Sequence, residues 1–417
     1  MIVHIDCNSF FASCEIAQRG LVVDEPVVVS SSNENNGGII LALNKPAKAL
    51  GLKRGQPLFK VVPRETERGE DFFIFQERKV RCFEADHHLY HQISQRIMQL
   101  VLEQEIVLDF VQYSVDEFFG MIPVDEPDDM RHYTQMVKEL IETETKIPVS
   151  CGCASTYTLA KMATHFAKQY EGYKGICVLT EDKREKALGL MPIEEIWGIG
   201  RKVAPKLQQM GLRTALAFAQ AEGENFAKYF NVTLYHTWQE LNGKPVIRLE
   251  NKDKQQSIMQ SRTLPTTSHD LPFLLEQLSS YTSAAARKLR EQKSRCKQIT
   301  VFLNTNYHRE DLAQYTNSAT IRLADYEDAS PILIKAACDA FRTIFREGYE
   351  IKRLGVVLEK LIDTEQMQLE LFTDPQKEKL RHLQAQLDRI NEKYDGEIVH
   401  TGSFSQASKK NKGITKV

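Results

Sequence analysis

The chain of 417 residues carries a formal net charge of −2, with 42% hydrophobic and 26% charged residues. This length exceeds what one hydrophobic core usually organises, so we expect several domains. No apolar run is long enough for a helical membrane span, and the N-terminus lacks a basic-then-apolar signal pattern, so we expect a cytoplasmic protein with no membrane partner. The eight cysteines form no Cys-x-x-Cys pair, which excludes a zinc ribbon and a disulfide framework.

Strand-like and helical patterns alternate over the first 120 residues. Residues 1–5, 27–29 and 38–42 are short apolar runs typical of strands. Apolar residues then recur at helical spacing over 78–102, which predicts one long helix. The runs on either side of residues 113–117 are again strand-like. We therefore predict an α+β catalytic domain whose sheet is covered by helices on one face.

The remainder of the chain divides by composition into five regions. The catalytic domain continues with a helix, a strand and a second helix up to Gln169. Short helices follow over 180–240, and a polar segment at 242–256 is typical of a linker. A β-α pattern then returns to about residue 360, and a polar tail covers 373–417.

Acidic residues lie at the ends of strand-like runs. Asp6 ends the first run, and Asp116 and Glu117 lie between two later ones. Strands disfavour Asp and Glu, and an unpaired buried carboxylate is costly, so this placement indicates bound cations. Carboxylates are ligands that Mg²⁺ prefers, and a pair of such ions would support phosphoryl transfer. Taken singly, Asp6 could cap a helix, and the acidic pair could form a hairpin turn.

The adjacency of Asp116 and Glu117 also constrains the backbone geometry between them. Neighbouring strand residues point to opposite faces of a sheet. Asp116 and Glu117 can both reach the cations only if the hairpin bends between them, and this bend is what we expect. In a straight strand, Asp116 would meet both cations and Glu117 only one.

Three motifs occur in order along the first 117 residues. They read Asp-Cys-Asn-Ser-Phe-Phe-Ala-Ser-Cys-Glu at 6–15, Asn-Lys-Pro-Ala-Lys-Ala-Leu-Gly at 44–51 and Tyr-Ser-Val-Asp-Glu at 113–117. Together they resemble the motifs of the Y-family, or translesion, DNA polymerases, and more closely the UmuC-type branch than the DinB-type branch. The resemblance covers residues 1 to about 372.

The resemblance implies a right-hand polymerase with a palm, small fingers, a helix-hairpin-helix thumb and a β-α little finger. The implied boundaries are 1–20 and 78–178 for the palm, 21–77 for the fingers, 179–241 for the thumb, 242–256 for the linker, 257–362 for the little finger and 363–417 for the tail. It also implies two Mg²⁺ ions per active site, held by Asp6, the Cys7 backbone carbonyl, Asp116 and Glu117.

Nucleotide contacts are implied by the same resemblance. Phe11 corresponds to the steric gate, whose ring would clash with a 2′-hydroxyl, and Phe10 beside it either contacts the nucleotide or packs in the core. Lys45 and Lys48 fall on triphosphate-contacting positions that are often Tyr and Arg in the family. A lysine lacks the bidentate fork of arginine, so these contacts have less geometric definition. Lys161 matches a palm lysine that neutralises the triphosphate.

DNA contacts are implied in two regions. The segment around Gly198 resembles a helix-hairpin-helix, whose exposed N–H groups receive a backbone phosphate without reading sequence. The start of the little finger contributes further backbone contacts, and the basic run 287–297 is implied to lie on a helix of that domain. The implied DNA-binding residues are Gly198, Gly200, Lys202, Ser261, Arg262 and Thr263.

The sequence Gln-Leu-Glu-Leu-Phe at 368–372 resembles the peptide that binds the bacterial sliding clamp. Leu371 and Phe372 would fill an apolar pocket, and Gln368 would form a hydrogen bond at its rim. The implied contacts are Gln368, Leu369, Leu371 and Phe372.

The motifs together predict an error-prone, template-directed DNA polymerase for translesion synthesis in the DNA damage response. Its substrates would be primer–template DNA and dNTPs, and its partners the sliding clamp and a recombinase filament or processed accessory protein. One alternative is a non-catalytic, polymerase-like scaffold on the clamp, which the presence of all three carboxylates disfavours. A nucleotide cyclase with a similar palm is disfavoured by the helix-hairpin-helix and the clamp peptide.

Overall fold

The computed structural model describes residues 1–31, 38–58, 65–67, 70–249, 254–366 and 375–393. The predicted clamp peptide at 368–372 lies outside these residues. The chain forms two compact units, Met1–Asn251 and Lys252–Val417. No helix within the described ranges is long and apolar enough to cross a membrane. All eight cysteines are buried and free, as small core residues are.

The first unit combines helices with two five-stranded sheets. Its elements are β1 (Ile2–Cys7), α1 (Phe10–Arg19), β2 (Val27–Ser30), β3 (Ile40–Leu43), α2 (Lys45–Ala49), β4 (Glu65–Glu67), β5 (Glu70–Phe75), β6 (Arg78–Glu84), α3 (His87–Glu103), β7 (Leu108–Gln112), β8 (Glu117–Met121), α4 (Pro127–Thr145), β9 (Val149–Ala154), α5 (Tyr157–Gln169), β10 (Ile176–Val178), α6 (Glu181–Leu190), α7 (Ala204–Gln209), α8 (Ala215–Ala219), α9 (Glu224–Tyr229) and α10 (Val232–Leu241). The α+β prediction is confirmed.

One sheet of the first unit, in the order β10-β9-β1-β8-β7, carries the acidic residues. Strand β1 lies between β8 and β9 and is antiparallel to both. Helix α5 lies very close to β9, because a Cβ built at Gly152 would lie 2.2 Å from the Thr164 nitrogen. Only glycine permits this approach, and it fixes the helix that carries Lys161 and Lys168 against the sheet.

The second sheet of the first unit has the order β3-β2-β6-β5-β4. The prediction of one helix over residues 78–102 is wrong for residues 78–84. These residues form β6, which is parallel to β2 and antiparallel to β5. Val80 and Cys82 face the core, and the helix begins only after Asp86, whose carboxylate accepts hydrogen bonds from the His88 and Leu89 amides.

The second unit is a four-stranded sheet, in the order β11-β14-β12-β13, with two helices packed on it. Its elements are β11 (Ile258–Ser268), α11 (Leu271–Glu291), β12 (Ser294–Thr305), β13 (Thr316–Glu327), α12 (Ser330–Ile344), β14 (Ile351–Asp363) and α13 (Pro375–Lys393). The basic run 287–297 was predicted on one helix, which is wrong for its second half. It ends α11, turns at Lys293 (φ 56°) and continues into β12, because residues from Ser294 pair with β14.

Candidate active site

The hairpin between β7 and β8 bends where the sequence required it. Residues 114–116 form a bend, and Glu117 begins β8 opposite Asp6 on β1. Ser114 Oγ donates to the Asp116 carboxylate at 2.6 Å, and the Cys7 amide donates to the Asp116 carbonyl at 2.9 Å. Both acidic side chains therefore line one cavity with Asp6, and the straight-strand alternative is wrong.

The three carboxylates lie in a strongly charged setting. Asp6 forms an ion pair with Lys168, and Glu117 Oε1 lies 2.6 Å from Lys161 Nζ. Burial raises the pKa of Asp6 to about 6 despite the opposing effect of Lys168, and the neighbouring Glu117 and Asp116 raise it further. The ionised form of Asp6 is therefore costly in this site, and a bound cation would reduce that cost.

The donor set fits Mg²⁺. Three carboxylates and the Cys7 carbonyl provide hard oxygen ligands, the type that this ion prefers. Within the described part of the chain, no group of three or more His, Cys, Asp or Glu side chains is arranged as a ready-made metal site. Asp6 and Glu117 are instead turned to lysine ammonium groups, whose places a divalent cation would take.

The carboxylates border a cavity of about 500 Å³ whose other lining residues include Ser9, Phe10, Phe11, Lys48, Arg54 and Lys168. Lys48 Nζ donates to Ser9 Oγ at 3.1 Å. Partial burial lowers the pKa of Lys48, as does the nearby Lys168. This side of the carboxylates therefore brings together three cations and the half-exposed ring of Phe11. We call it the cationic pocket.

Lys45 is not brought to this pocket. Its ammonium lies 2.9 Å from Glu171 Oε1, and both side chains are 89% exposed. Arg54 and Lys168, which sequence reasoning missed, are in its lining instead. Lys168 could have been found from its spacing, because it follows Lys161 by seven residues, or about two helical turns, on α5.

A second, smaller cavity of about 220 Å³ shares Asp6, Glu117 and Lys168 with the cationic pocket. Its lining includes His4, Asp6, Glu117, Lys161, Lys168 and Trp197. Lys161 Nζ lies 4.8 Å from the centroid of the Tyr113 ring and 5.6 Å from that of Trp197, and Trp197 Nε1 donates to the Tyr113 hydroxyl at 3.1 Å. We call this side the aromatic pocket.

His4 forms the buried wall of the aromatic pocket. Its Nδ1 is hydrogen-bonded to Thr164 Oγ1 at 2.8 Å, and its Nε2 lies 3.7 Å from Glu117 Oε1. Burial lowers its pKa well below the ordinary value, and Lys161 and Lys168 lower it further, so the ring is neutral. His4 therefore adds no charge beside Glu117.

The predicted helix-hairpin-helix residues lie on a turn before α7. Gly198 has a φ of +89°, which disfavours residues with a side chain. Gly200 and Lys202 are exposed, whereas Ile196 and Ile199 anchor the turn in the core. A backbone accessible to a phosphate is consistent with the predicted contact, and the role itself stays a prediction.

The predicted little-finger residues lie on β11, an edge strand of the second unit. Arg262 and Thr263 are exposed, and Ser261 Oγ accepts a hydrogen bond from Arg353 at 3.0 Å. These side chains are accessible to a ligand, which is compatible with contacts to the DNA backbone. The contacts themselves stay predictions.

Comparison with known proteins places the chain in a family. Two models of the impB/mucB/samB family match it, the family model at residues 5–165 and its C-terminal domain at 255–371. The protein ImpB of Salmonella typhimurium is 33% identical over 96% of this chain and 93% of its own length. The protein UmuC of Salmonella typhimurium strain LT2 is 33% identical over 90% of this chain and 86% of its own length.

Solved structures show the same fold. A Y-family DNA polymerase chimera of Dbh and Dpo4 superposes with a TM-score of 0.68 at 21% identity, covering 87% of this chain and 99% of that one. An insertion ternary complex of Dbh DNA polymerase gives a TM-score of 0.55 at 21% identity, with the same coverage. The chain therefore belongs to the impB/mucB/samB family, and its fold is that of the Y-family DNA polymerase chimera.

Proposed function

We propose that this DNA-directed DNA polymerase performs error-prone translesion synthesis, adding dNTPs to a primer opposite damaged template bases. The observation that carries the proposal is the convergence of Asp6, Asp116 and Glu117, from separate strand ends, on one cavity that also contains Phe11 and Lys48. A carboxylate cluster beside cations suits the binding of metal ions and a triphosphate together.

Each residue of the cationic pocket has a proposed task. Lys48, Arg54 and Lys168 would neutralise and orient the triphosphate. The contacts favour Lys168 over Lys161 for this task, because Lys161 is held against Glu117 and two aromatic rings. The 3′ end of the primer would then enter from the aromatic pocket, and the carboxylates would separate the two substrates.

Two Mg²⁺ ions would be held by Asp6, the Cys7 carbonyl, Asp116 and Glu117. When bound, they would lower the pKa of the attacking 3′-hydroxyl and stabilise negative charge on the phosphates. The chain contributes pre-set geometry, because the bend at 114–116 and the hydrogen bond from Ser114 fix the Asp116 carboxylate. Phe11, whose ring lines the same cavity, would exclude a ribose by contact with its 2′-hydroxyl.

We also keep the predicted partners as proposals. Primer–template DNA would contact the turn at 198–202 and the edge strand at 261–263, whose residues are accessible. The peptide at 368–372 would bind the sliding clamp. A processed accessory protein or recombinase filament is proposed on family membership, and no contact residue is assigned to it.

Primer extension tests the proposal. The purified chain is given Mg²⁺, dNTPs and primed templates, either undamaged or with an abasic site, and we expect extension on both. Asp116→Asn should abolish extension, whereas Asp109→Asn should retain it. Asp109 is a matched control, because it is an exposed carboxylate in the neighbouring strand with a φ of 47°, a conformation that Asn tolerates. No extension by the wild type would instead favour the scaffold, whereas extension by Asp116→Asn at the wild-type rate would contradict the catalytic role of Asp116.

A further inference from the structure

A fully buried carboxylate, that of Glu240, joins three segments of the first unit. Glu240 lies near the end of α10 and has no exposed surface. Its Oε2 accepts a hydrogen bond from the Thr158 amide at 3.0 Å, and its Oε1 accepts from the Val246 and Ile247 amides at 3.0 and 3.1 Å. The carboxylate therefore connects α10 both to the start of α5 and to the segment that follows α10.

The start of α5 is held to α10 by a second contact. Thr156, which caps α5, accepts from the Leu159 amide at 3.3 Å and donates its hydroxyl proton to the Glu240 carbonyl oxygen at 3.0 Å. Thr156 and Glu240 thus satisfy two of the N–H groups that the first turn of a helix leaves without intrahelical partners. A carboxylate also suits this end of a helix, because the helix dipole is positive there. The first turn of α5 is therefore fixed by α10.

Helix α10 is itself anchored in the first unit. Trp238 Nε1 and Asn242 Nδ2 both donate to the Ala219 carbonyl oxygen, each at 3.0 Å, which ties α10 to the end of α8. Hydrogen bonds of a single carbonyl to two side chains of one helix limit the sliding of that helix. The support for the Glu240 carboxylate is therefore rigid.

Lys161 lies about one helical turn from the Glu240 contact. It follows Thr158 by three residues on α5, whereas Lys168 follows only after nearly three turns. The close approach of α5 to β9 at Thr164 lies between the two lysines in sequence. Movement of the first turn should therefore displace Lys161 and leave Lys168 in place.

The Lys161 ammonium is the group that this arrangement aims at the carboxylate cluster. We propose that Glu240 is a positioning residue, which holds the first turn of α5 so that Lys161 Nζ meets Glu117 Oε1 at 2.6 Å. A small misplacement of a group that orients a reacting centre is enough to lower the rate. The inference rests on the proposed function, in which Glu117 is one of the metal ligands.

Glu240→Gln should break the contact with α5 selectively. The amide oxygen satisfies two donors when it faces Val246 and Ile247 but only one when it faces Thr158, so the amide nitrogen should face the Thr158 N–H. Two donors then oppose each other at the start of α5. We measure single-nucleotide insertion in Mg²⁺ over a range of dNTP concentrations for the wild type, Glu240→Gln, Lys161→Met and the double variant.

The expected effect is on kcat. Glu240→Gln should lower kcat roughly fivefold, the loss expected for one hydrogen bond, and leave KM for dNTP near the wild-type value because Lys168 keeps its place. In the Lys161→Met background the same change should lower kcat by no more than about twofold, because the effects of residues that act through one another are not additive.

A control separates positioning from general loosening of the fold. Thr214 caps α8 by accepting from the Ala217 amide at 3.2 Å, so Thr214→Ala also removes an acceptor from the first turn of a helix. This variant should lower the free energy of unfolding and keep the wild-type kcat. If Glu240→Gln does not fold, Glu240→Asp takes its place, because its shorter side chain cannot reach both sets of amides, and the same fall in kcat is expected.

The outcomes are distinct. A wild-type kcat in the folded Glu240 variant, together with a lowered kcat in Lys161→Met, would overturn the inference and leave the proposed function standing. A fall by the same factor in both backgrounds would also overturn it, because Glu240 would then act without Lys161. A wild-type kcat in Lys161→Met would remove the role of Lys161 and, with it, that of Glu240. Failure of the proposed function is recognised separately, by the absence of any insertion by the wild type.

Discussion

The cationic pocket and the aromatic pocket share Asp6, Glu117 and Lys168, and the two lysines of α5 differ in their surroundings. Lys168 pairs with Asp6 and keeps 37% of its side chain exposed. Lys161, two turns earlier on the same helix, is 23% exposed and lies against Glu117 and the rings of Tyr113 and Trp197. These surroundings are the basis of the proposed roles: Lys168, the more exposed lysine, would contact the triphosphate, and Lys161 would position the Glu117 carboxylate.

Among the lysine variants, the largest effect should follow from Lys168→Met. Removing a cation that faces the triphosphate should raise KM for dNTP and lower kcat/KM by roughly 100-fold, the loss typical of one preorganised electrostatic contact. Steady-state insertion kinetics over a range of dNTP concentrations measure both constants. A normal KM for dNTP would show that the cationic pocket does not hold the triphosphate through Lys168.

Lys161→Met should have a smaller effect of a different kind. Loss of the 2.6 Å contact leaves Glu117 less well fixed, so kcat should fall roughly tenfold with KM for dNTP near the wild-type value. Trp197→Leu, which weakens the cation–π contact, should lower kcat by about threefold. A rise in KM for dNTP in Lys161→Met, as large as in Lys168→Met, would mean that both lysines contact the triphosphate.

Some features of the fold and of the candidate site could be predicted from the sequence, and others could not. The three carboxylates and the bend were predictable, because acidic residues at strand ends are locally unusual. Residues 78–84 were misassigned, because charged residues are mixed there with only three buried positions, and pairing with β2 decides the outcome. The stacking of Tyr90 on Phe11 carried no sequence signal, since the two residues are brought together only by the packing of α1 on α3.

Charge on Asp6 should also affect stability. Its folded pKa of about 6 lies above the ordinary 3.8, so the folded chain binds this proton more tightly than the unfolded chain. Stability should therefore fall as pH rises through this interval, and the cost should be fully present at higher pH. Without divalent metal, Asp6→Asn should stabilise the chain by about 2 kcal/mol at pH 8 and by much less at pH 4.

Chemical unfolding at the two pH values measures this difference. Asp109→Asn, which changes an exposed carboxylate, serves as the control and should alter stability little at either pH. An Asp6 variant that is less stable than the wild type at pH 8 would mean that its ion pair with Lys168 outweighs the cost of burial.

The smallest effect should come from Lys45→Ala. Its ion pair with Glu171 is almost fully exposed, so its loss should change dNTP kinetics by roughly twofold or less. Lys48→Ala is the matched comparison, because Lys48 lies one turn along the same helix and lines the cationic pocket. A loss in Lys45→Ala as large as in Lys48→Ala would restore the triphosphate role predicted for Lys45.

The central claim is that Asp6 and Asp116, which both line the cationic pocket, act as one catalytic set. Single-turnover insertion rates in Mg²⁺ for Asp6→Asn, Asp116→Asn and the double variant test it most directly. Residues that act as a unit have non-additive effects, so the double variant should be no slower than the slower single variant. Losses that multiply would mean that the two carboxylates act independently, and this result would contradict the account.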